Sequence, residues 1–251
     1  MRLVFLTALG VGGATLIGAV LGFAFKSISH RFSDIVLSFA AGVMLAAAVI
    51  GLIMPSLEYE SGGILTTIVG IFCGAVCLNF LDKLVPHLHK LSGADIEGHP
   101  EQNQRLNKIL LFVMAIAIHN LPEGIAAGVG FGTDNTGEAL TIAAGIALQN
   151  IPEGMVIIAP MLAAGMSRWR TFAAASATGV IEVVGTLMGY FAVTISAAVL
   201  PFALAFAGGT MLYVISDEMI PETHAHGAER GATYALLVGF CLMLVVHHFL
   251  G

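Results

Sequence analysis

The sequence contains few charged residues. Of its 251 residues, 10% are Asp, Glu, Lys or Arg and 57% are hydrophobic. Soluble domains carry about 25% charged residues, so this scarcity excludes a protein whose surface faces mainly water. The mean hydropathy of +0.92 agrees with that exclusion. The chain is therefore predicted to lie in a lipid bilayer, and its net charge of −6 gives no indication of nucleic-acid binding.

Cysteine is also scarce, and two catalytic motifs are missing. Cys73, Cys77 and Cys241 all fall in apolar stretches, so no disulfide framework is indicated. Cys73 and Cys77 are expected to pack inside the core, because small apolar thiols are common there. They share a helix face, so a soft-metal site is the alternative. The chain has neither the His-Glu-x-x-His pair of a metalloprotease nor the GxxxxGK[ST] loop of an ATPase. We therefore expect no enzyme and no catalytic cofactor.

Long apolar stretches recur along the whole chain. Each has about 20 residues, the length that spans a bilayer. They predict an all-α polytopic membrane protein with eight transmembrane helices, in a single transmembrane domain that covers residues 1–251. The predicted spans are residues 3–25, 35–57, 63–85, 107–131, 138–161, 171–194, 199–220 and 232–250, and residues 86–106 form the longest predicted loop.

The basic residues predict the orientation of the spans. Nine of the ten Lys and Arg residues lie in or beside the predicted loops 1–2, 3–4, 5–6 and 7–8, whereas Arg2 lies on the opposite side. The positive-inside rule makes the side with nine basic residues cytoplasmic. Loop 86–106 is thus predicted to be cytoplasmic, and both termini to be extracellular or periplasmic. The outer loops are acidic, which would raise the local concentration of cations.

A duplicated motif stands inside two predicted spans: HNLPEG at residues 119–124 and QNIPEG at residues 149–154. Residues four apart share a helix face, so His119 projects with Glu123, and Gln149 projects with Glu153. The proline of each copy removes a backbone hydrogen bond and bends the helix. At membrane depth such a break is tolerated where the backbone is buried in protein or lines a wet cavity. An antiparallel hairpin about the turn between the two spans would bring both copies together near mid-membrane.

A third intramembrane acid, Glu182, lies in the sixth predicted span. Acids at the bilayer centre are costly and mark functional sites, and three close carboxylates repel unless protons or cations neutralise them. Together with His119 and the amides of Asn120, Gln149 and Asn150, they form a set of oxygen and nitrogen ligands. The pattern predicts a site for divalent transition metals. An alternative stays open, in which the glutamates relay protons in a carrier or channel for a non-metal solute.

These motifs resemble those of the ZIP (Zrt/Irt-like) family of divalent metal transporters, particularly its bacterial GufA-like branch. The resemblance covers essentially the whole chain and implies an inverted 3+2+3 arrangement, with spans 1–3 and 6–8 forming two bundles around spans 4 and 5. It also implies a binuclear metal site at the centre of the membrane. The residues that it assigns to this site are Met44, His119, Asn120, Glu123, Gln149, Asn150, Glu153 and Glu182.

Two further segments, DKLVPHLH and SDEMIPETH, resemble the family's release route at the cytoplasmic ends of spans 3 and 7. Its residues here are Asp82, His87, His89, Asp217, Glu218, Glu222 and His224. The resemblance implies uptake of Zn2+, or of Cd2+, Fe2+ or Mn2+, across the bacterial inner membrane into the cytoplasm. The metal is then the substrate, the movement is alternating access of the elevator or rocking type, and a homodimer is possible. Because metal ligands must be deprotonated, binding is expected to release protons.

Overall fold

The structure is a computed structural model that describes residues 1–24, 29–59, 62–91, 117–133, 135–163 and 165–251. Within these ranges the regular structure is helical and contains no strand. The long helices are α1 (Arg2–Ala24), α2 (His30–Glu58), α3 (Ile64–Leu91), α4 (117–130 where described), α5 (Thr136–Ala163), α6 (Arg168–Ile195), α7 (Leu200–Thr223) and α8 (Glu229–Leu250). A 3-10 turn, Ala197–Val199, precedes α7.

Among the described residues, seven helices are long and apolar enough to cross a membrane, namely all of these except α4. These seven helices confirm the prediction of a polytopic helical membrane protein. The remaining predicted span, 107–131, is represented by residues 117–130, and residues 92–116 lie outside the described part of the chain. Helix α3 continues beyond its predicted end, through Pro86, to Leu91. The first residues of the predicted loop 86–106 are therefore helical.

Helices α2 and α7 each change their winding just before a proline. A π-helical stretch, Ala47–Ile53, precedes Pro55 in α2, and another, Ile215–Met219, precedes Pro221 in α7. Proline lacks the N–H that a regular helix needs, and π-helical turns within α-helices are frequent at functional sites. In α7 this stretch contains two acids of the predicted release route, so the irregular winding lies in a segment of functional interest.

Glycines let the helices cross with their backbones in contact. A Cβ on Gly154 of α5 would strike the carbonyl oxygen of Thr15 on α1, and a Cβ on Gly124 of α4 would strike the carbonyl oxygen of Glu182 on α6. In lipid, helices associate largely through such close packing of small residues. These two crossings place both copies of the duplicated motif against α1 and α6.

The close crossings recur in matching pairs. In the first pair, α1 crosses α5 in the same way that α6 crosses α4. Gly18 of α1 faces the carbonyl of Ile151, and Gly185 of α6 faces the carbonyl of Leu121. In the second pair, α2 meets α8 as α7 meets α3. The contacts of this second pair are Gly42 with Leu236, Gly239 with Phe39, Gly209 with Ile71, and Gly74 with Phe206. The two halves of the chain thus use the same kind of contact at corresponding helices.

The outer surface of α3 is apolar. Phe72 and Val76 are 67% and 66% exposed, as expected for side chains that face lipid. Cys73, Cys77 and Cys241 are also exposed. The interpretation that Cys73 and Cys77 pack inside the core is therefore wrong, because the face of α3 that carries them points outward.

Candidate metal site

Both copies of the duplicated motif lie within helices. Helix α4 runs through Pro122 over residues 117–130, and α5 runs through Pro152 as far as Val156. The irregularity in α5 comes later, at Ile157, after which the helix resumes as Ile158–Ala163. The motif side chains are thus carried on continuous helical turns, which keeps residues four apart on one face.

Glu182 accepts hydrogen bonds from three other helices. The hydroxyl oxygen of Thr15 on α1 lies 2.8 Å from Oε1 and 3.0 Å from Oε2 of Glu182. Asn150 on α5 donates from Nδ2 to Oε2 at 2.8 Å, and Asn120 on α4 donates from Nδ2 to Oε1. All four side chains are buried. A single carboxylate therefore joins α1, α4, α5 and α6.

Asn120, Asn150 and Glu182 lie together in the structure, and Thr15 joins them. Sequence reasoning missed this residue. A threonine in an apolar span is common, and its own hydroxyl often bonds to a nearby backbone carbonyl, so its sequence context carried no signal. Only the crossing of α1 with α5 and α6 reveals its role.

Several polar atoms of the motif are buried without a partner. Glu123 and Gln149 are 1% and 0% exposed. Within the described residues, the oxygens Oε2 of Glu123, Oε1 of Gln149 and Oδ1 of Asn150 accept no hydrogen bond, while the Gln149 side chain lies close enough to the Glu123 carboxyl to interact with it. An unsatisfied buried polar group costs about 1–3 kcal/mol. A bound cation would satisfy the oxygens among these atoms.

The carboxyls of the two motif copies also interact with each other. Glu123 lies within electrostatic range of both Glu153 and Glu182. Like charges repel more strongly away from bulk water, so a divalent cation between them would relieve the repulsion. Among the described residues, no three His, Cys, Asp or Glu side chains are arranged to hold an ion by themselves. The candidate site therefore needs the amides of the motif as well as its acids.

His119 makes contact with α7. Its Nε2 lies 2.9 Å from Oε1 of Glu218, and the two side chains are 20% and 35% exposed. Glu153 is close enough to His119 for the two to interact electrostatically. A predicted metal ligand, His119, thus touches a residue of the predicted release route.

A cavity with a volume of about 840 Å3 leads away from these residues. Its inner part is lined by His119, Asn120, Glu123 and Glu153. Its far end is lined by residues at the beginning of α2 and just after α7, including His30 and Ala225. Between the two ends, the lining includes three acids of the predicted release route, Asp217, Glu218 and Glu222.

Other predicted site residues lie elsewhere. Met44 is fully buried in the apolar core and does not line the cavity. The ring of His224 bonds to the carbonyl of Ile220 at 2.9 Å and to the hydroxyl of Thr233 at 3.2 Å, within its own end of the molecule. The remaining three predicted residues, Asp82, His87 and His89, are on α3, and their side chains lie outside the described part of the structure.

The far end of the cavity holds a cluster that sequence reasoning missed. Nδ1 of His226 lies 3.1 Å from Oδ1 of Asp34, and the His226 ring stacks on that of His30 with centroids 4.9 Å apart. Asp34 is 2% exposed. The loop after α7 is thereby held against the start of α2. No sequence pattern links residues so far apart in the chain.

Comparison with known proteins finds zinc transporters. The family described as ZIP zinc transporter matches residues 92–247. The chain is 39% identical over 247 residues to the zinc transporter GufA of Myxococcus xanthus, covering 96% of each protein. It is 37% identical over 250 residues to the zinc transporter ZIPB of Bordetella bronchiseptica, covering 95% of this chain and 78% of that protein. It is 31% identical over 316 residues to the zinc transporter ZIP11 of Homo sapiens, covering 92% of both.

The resemblance inferred from the two motifs is confirmed by these matches, which extend over nearly the whole chain. The prediction that the protein is not an enzyme agrees with them too, since the family is one of transporters. The chain belongs to the ZIP family of zinc transporters.

Proposed function

We propose that the protein takes up divalent transition-metal ions, zinc foremost, across a bacterial inner membrane into the cytoplasm. The observation that carries the proposal is the cavity, because it connects the buried motif on α4 and α5 with the acids of α7. Zinc is the first candidate because the named relatives are zinc transporters. Cd2+, Fe2+ and Mn2+ are the further candidate substrates.

The proposed ligands of the ion are His119, Glu123, Gln149 and Glu153. Imidazole and carboxylate are ordinary zinc ligands, and Oε1 of Gln149 is buried and unpaired. An ion at this place would also neutralise the repulsion between Glu123 and Glu153. Met44, which is buried in the apolar core, is the further ligand that the resemblance implies.

Release would follow the cavity. His119 touches Glu218 through Nε2, so an imidazole that leaves the ion and takes up a proton at Nε2 can donate a hydrogen bond to this carboxylate as the ion moves along the cavity. Asp217, Glu218 and Glu222 then offer successive carboxylates along the lining. The cavity ends at the start of α2, beside Arg31. Basic residues are typical of cytoplasmic ends, so this conformation faces the cytoplasm.

The inverted 3+2+3 arrangement is part of the proposal. It is supported by the matching crossings, in which α1 meets α5 as α6 meets α4, and α2 meets α8 as α7 meets α3. Inverted-repeat transporters bind their substrates near the midplane and move one bundle against another around that site. We therefore propose eight spans with both termini outside, in one transporter domain over residues 1–251, with elevator or rocking movement. A homodimer remains a prediction from the resemblance.

The test is zinc entry into liposomes that contain the purified protein and a zinc-sensitive dye. Wild-type protein should admit zinc, whereas His119→Ala and Glu153→Ala should each abolish entry. Glu229→Gln is the control, since Glu229 is exposed at the start of α8 and lies outside the cavity lining. If zinc entry survived the loss of His119 but failed without Glu153, His119 would not be a required ligand of the ion. No entry of any divalent metal with folded wild-type protein would overturn the proposal.

A further inference from the structure

Resting on the proposed function, we propose that the mid-membrane site holds one metal ion at a time. The place of a second cation is taken by a hydrogen-bonded lock on Glu182, formed by Thr15, Asn120 and Asn150. Thr15 is a positioning residue in this lock: it orients Glu182 and does not touch the ion.

The lock occupies both oxygens of the Glu182 carboxylate. Oε1 faces the Thr15 hydroxyl at 2.8 Å and the amide nitrogen of Asn120. Oε2 faces the same hydroxyl at 3.0 Å and the amide nitrogen of Asn150 at 2.8 Å. Hydrogen bonds to a carboxylate are charge-assisted and stronger than bonds between neutral groups. Glu182 is therefore stabilised by neutral donors without a counter-ion.

The chemistry of asparagine is what allows this arrangement. A carboxylate only accepts hydrogen bonds, so an amide beside it must present its NH2 group. The Asn150 amide is oriented in this way, since its Nδ2 also donates to the carbonyl of Val11 at 3.2 Å. An aspartate at position 150 could not donate, and two facing carboxylates would need a proton or a cation between them.

The orientation of the Asn150 amide also decides which acceptor oxygens already have a hydrogen bond and which have none. With Nδ2 of Asn150 turned toward Glu182, its Oδ1 is left without a partner in the described residues. The other unpaired oxygens belong to Glu123 and Gln149. Two of the three free acceptor oxygens therefore belong to the proposed ligands Glu123 and Gln149, whereas both oxygens of Glu182 already accept hydrogen bonds. The unpaired oxygens can therefore coordinate one ion, and Glu182 has no unpaired oxygen left for a second.

Close helix crossings fix the lock in place. The backbone of Thr15 is pressed against Gly154, and the backbone of Glu182 is pressed against Gly124. These glycines are the last residues of the two motif copies. Thr15 and Glu182 thus hold corresponding places on α1 and α6, and neither can withdraw from the lock unless a crossing opens.

The experiment compares metal occupancy in purified protein equilibrated with Cd2+. Bound cadmium is measured for each protein with and without the additional substitution Glu123→Ala. The difference between the two values is the occupancy of the mid-membrane site, because ions held elsewhere contribute equally to both. Wild type should show a difference of one ion, and X-ray absorption should show no cadmium–cadmium scattering. Asn150→Asp should bind a second ion and show metal–metal scattering at about 3.5–4 Å, the usual spacing of two-metal sites.

Thr15→Val and Thr15→Ser test the positioning role. Valine removes the hydroxyl at nearly constant shape, so zinc entry should fall about tenfold and a second cadmium should begin to bind at Glu182. Serine retains the hydroxyl and should restore wild-type entry and single occupancy. Wild-type occupancy and entry in Thr15→Val would overturn the role of Thr15.

Two ions in wild-type protein, or wild-type metal–metal scattering, would overturn the single-ion proposal. Zinc entry into liposomes separates this failure from failure of the proposed function. If entry occurs with two ions bound, only the lock is wrong, whereas absence of entry refutes the transporter itself. Should Thr15→Val fail to fold, the wild-type and Asn150→Asp measurements still decide the ion count.

Discussion

At the scale of single residues, the contact between His119 and Glu218 connects binding with release. The imidazole is partly exposed to the cavity and lies 2.9 Å from the carboxylate. A ring that binds zinc through one nitrogen is oriented by what its other atoms contact. Glu218 is therefore placed to draw His119 away from the ion, and the two residues act as a pair.

Replacing Glu218 tests this pairing. In Glu218→Ala, His119 loses its partner on α7 and stays with the ion, so zinc should bind more tightly and leave more slowly. We expect both kcat and KM for zinc entry to fall, by about tenfold, the size of one hydrogen bond to a charged group. Initial rates of dye-reported entry over a range of zinc concentrations measure both constants. Glu229→Gln, which removes an exposed charge outside the cavity lining, should leave both unchanged.

An unchanged KM in Glu218→Ala would contradict the pairing. It would mean that Glu218 serves only as a later carboxylate along the cavity. Entry lost completely, with zinc still bound, would place Glu218 as an obligatory step of release. Those outcomes distinguish a residue that competes for His119 from one that merely lies on the route.

At the scale of helices, glycines set how closely α1, α4, α5 and α6 approach. The crossing of Gly154 with Thr15 brings α5 against α1, and it thereby places Asn150 beside Glu182. Helix propensity alone would favour alanine over glycine by about 0.5–1 kcal/mol. The close approach therefore requires glycine at the expense of local helix stability.

Gly154→Ala should destabilise the protein, since the new methyl group would strike the carbonyl oxygen of Thr15. Overpacking of this kind costs about 1–3 kcal/mol, which exceeds the gain in helix propensity. Thermal unfolding in detergent, followed by circular dichroism, should show a lower midpoint than wild type. The matched control is Gly10→Ala on α1, where nothing lies within 4 Å of the added Cβ. Equal midpoints for the two variants would refute the role of the crossing.

At the scale of the whole molecule, the contacts at the helix ends agree with alternating spans. The start of α2 meets the loop after α7 through His226 and Asp34. At the opposite end, Gly62, between α2 and α3, lies against Pro201 at the start of α7. Every odd-numbered turn between helices would then lie on one side of the membrane. The basic residues support the proposal that this side is the cytoplasmic one.

Cysteine labelling tests this topology. Ser167 and Ser196 flank the two ends of α6, so they should lie on opposite sides of the bilayer. In a background without the three native cysteines, a membrane-impermeant maleimide added to intact cells should label Ser196→Cys and not Ser167→Cys. Permeabilised cells should label both. Labelling of Ser167→Cys in intact cells would reverse the proposed orientation, and with it the direction of uptake.

The sequence alone determined the membrane class and the approximate spans, and it predicted the chemistry of the site. These follow from composition and from the local spacing of HNLPEG and QNIPEG, which a helix converts directly into shared faces. The seven candidate spans among the described residues lie close to their predicted positions. The gathering of Asn120, Asn150 and Glu182 was also predictable, because polar groups in apolar helices must find partners.

Only the tertiary structure decided which faces of the helices meet. Helices that are apolar on all sides carry no stripe to indicate their inward face, so sequence placed Cys73 and Cys77 inside when they face outward. For the same reason it gave no sign of Thr15, of the pairing of His119 with Glu218, or of His226 with Asp34. Those contacts join residues far apart in the chain. The contact of Thr15 with Glu182 depends on the glycine crossings at Gly154 and Gly124, each of which involves two helices at once. No single stretch of sequence encodes such a contact.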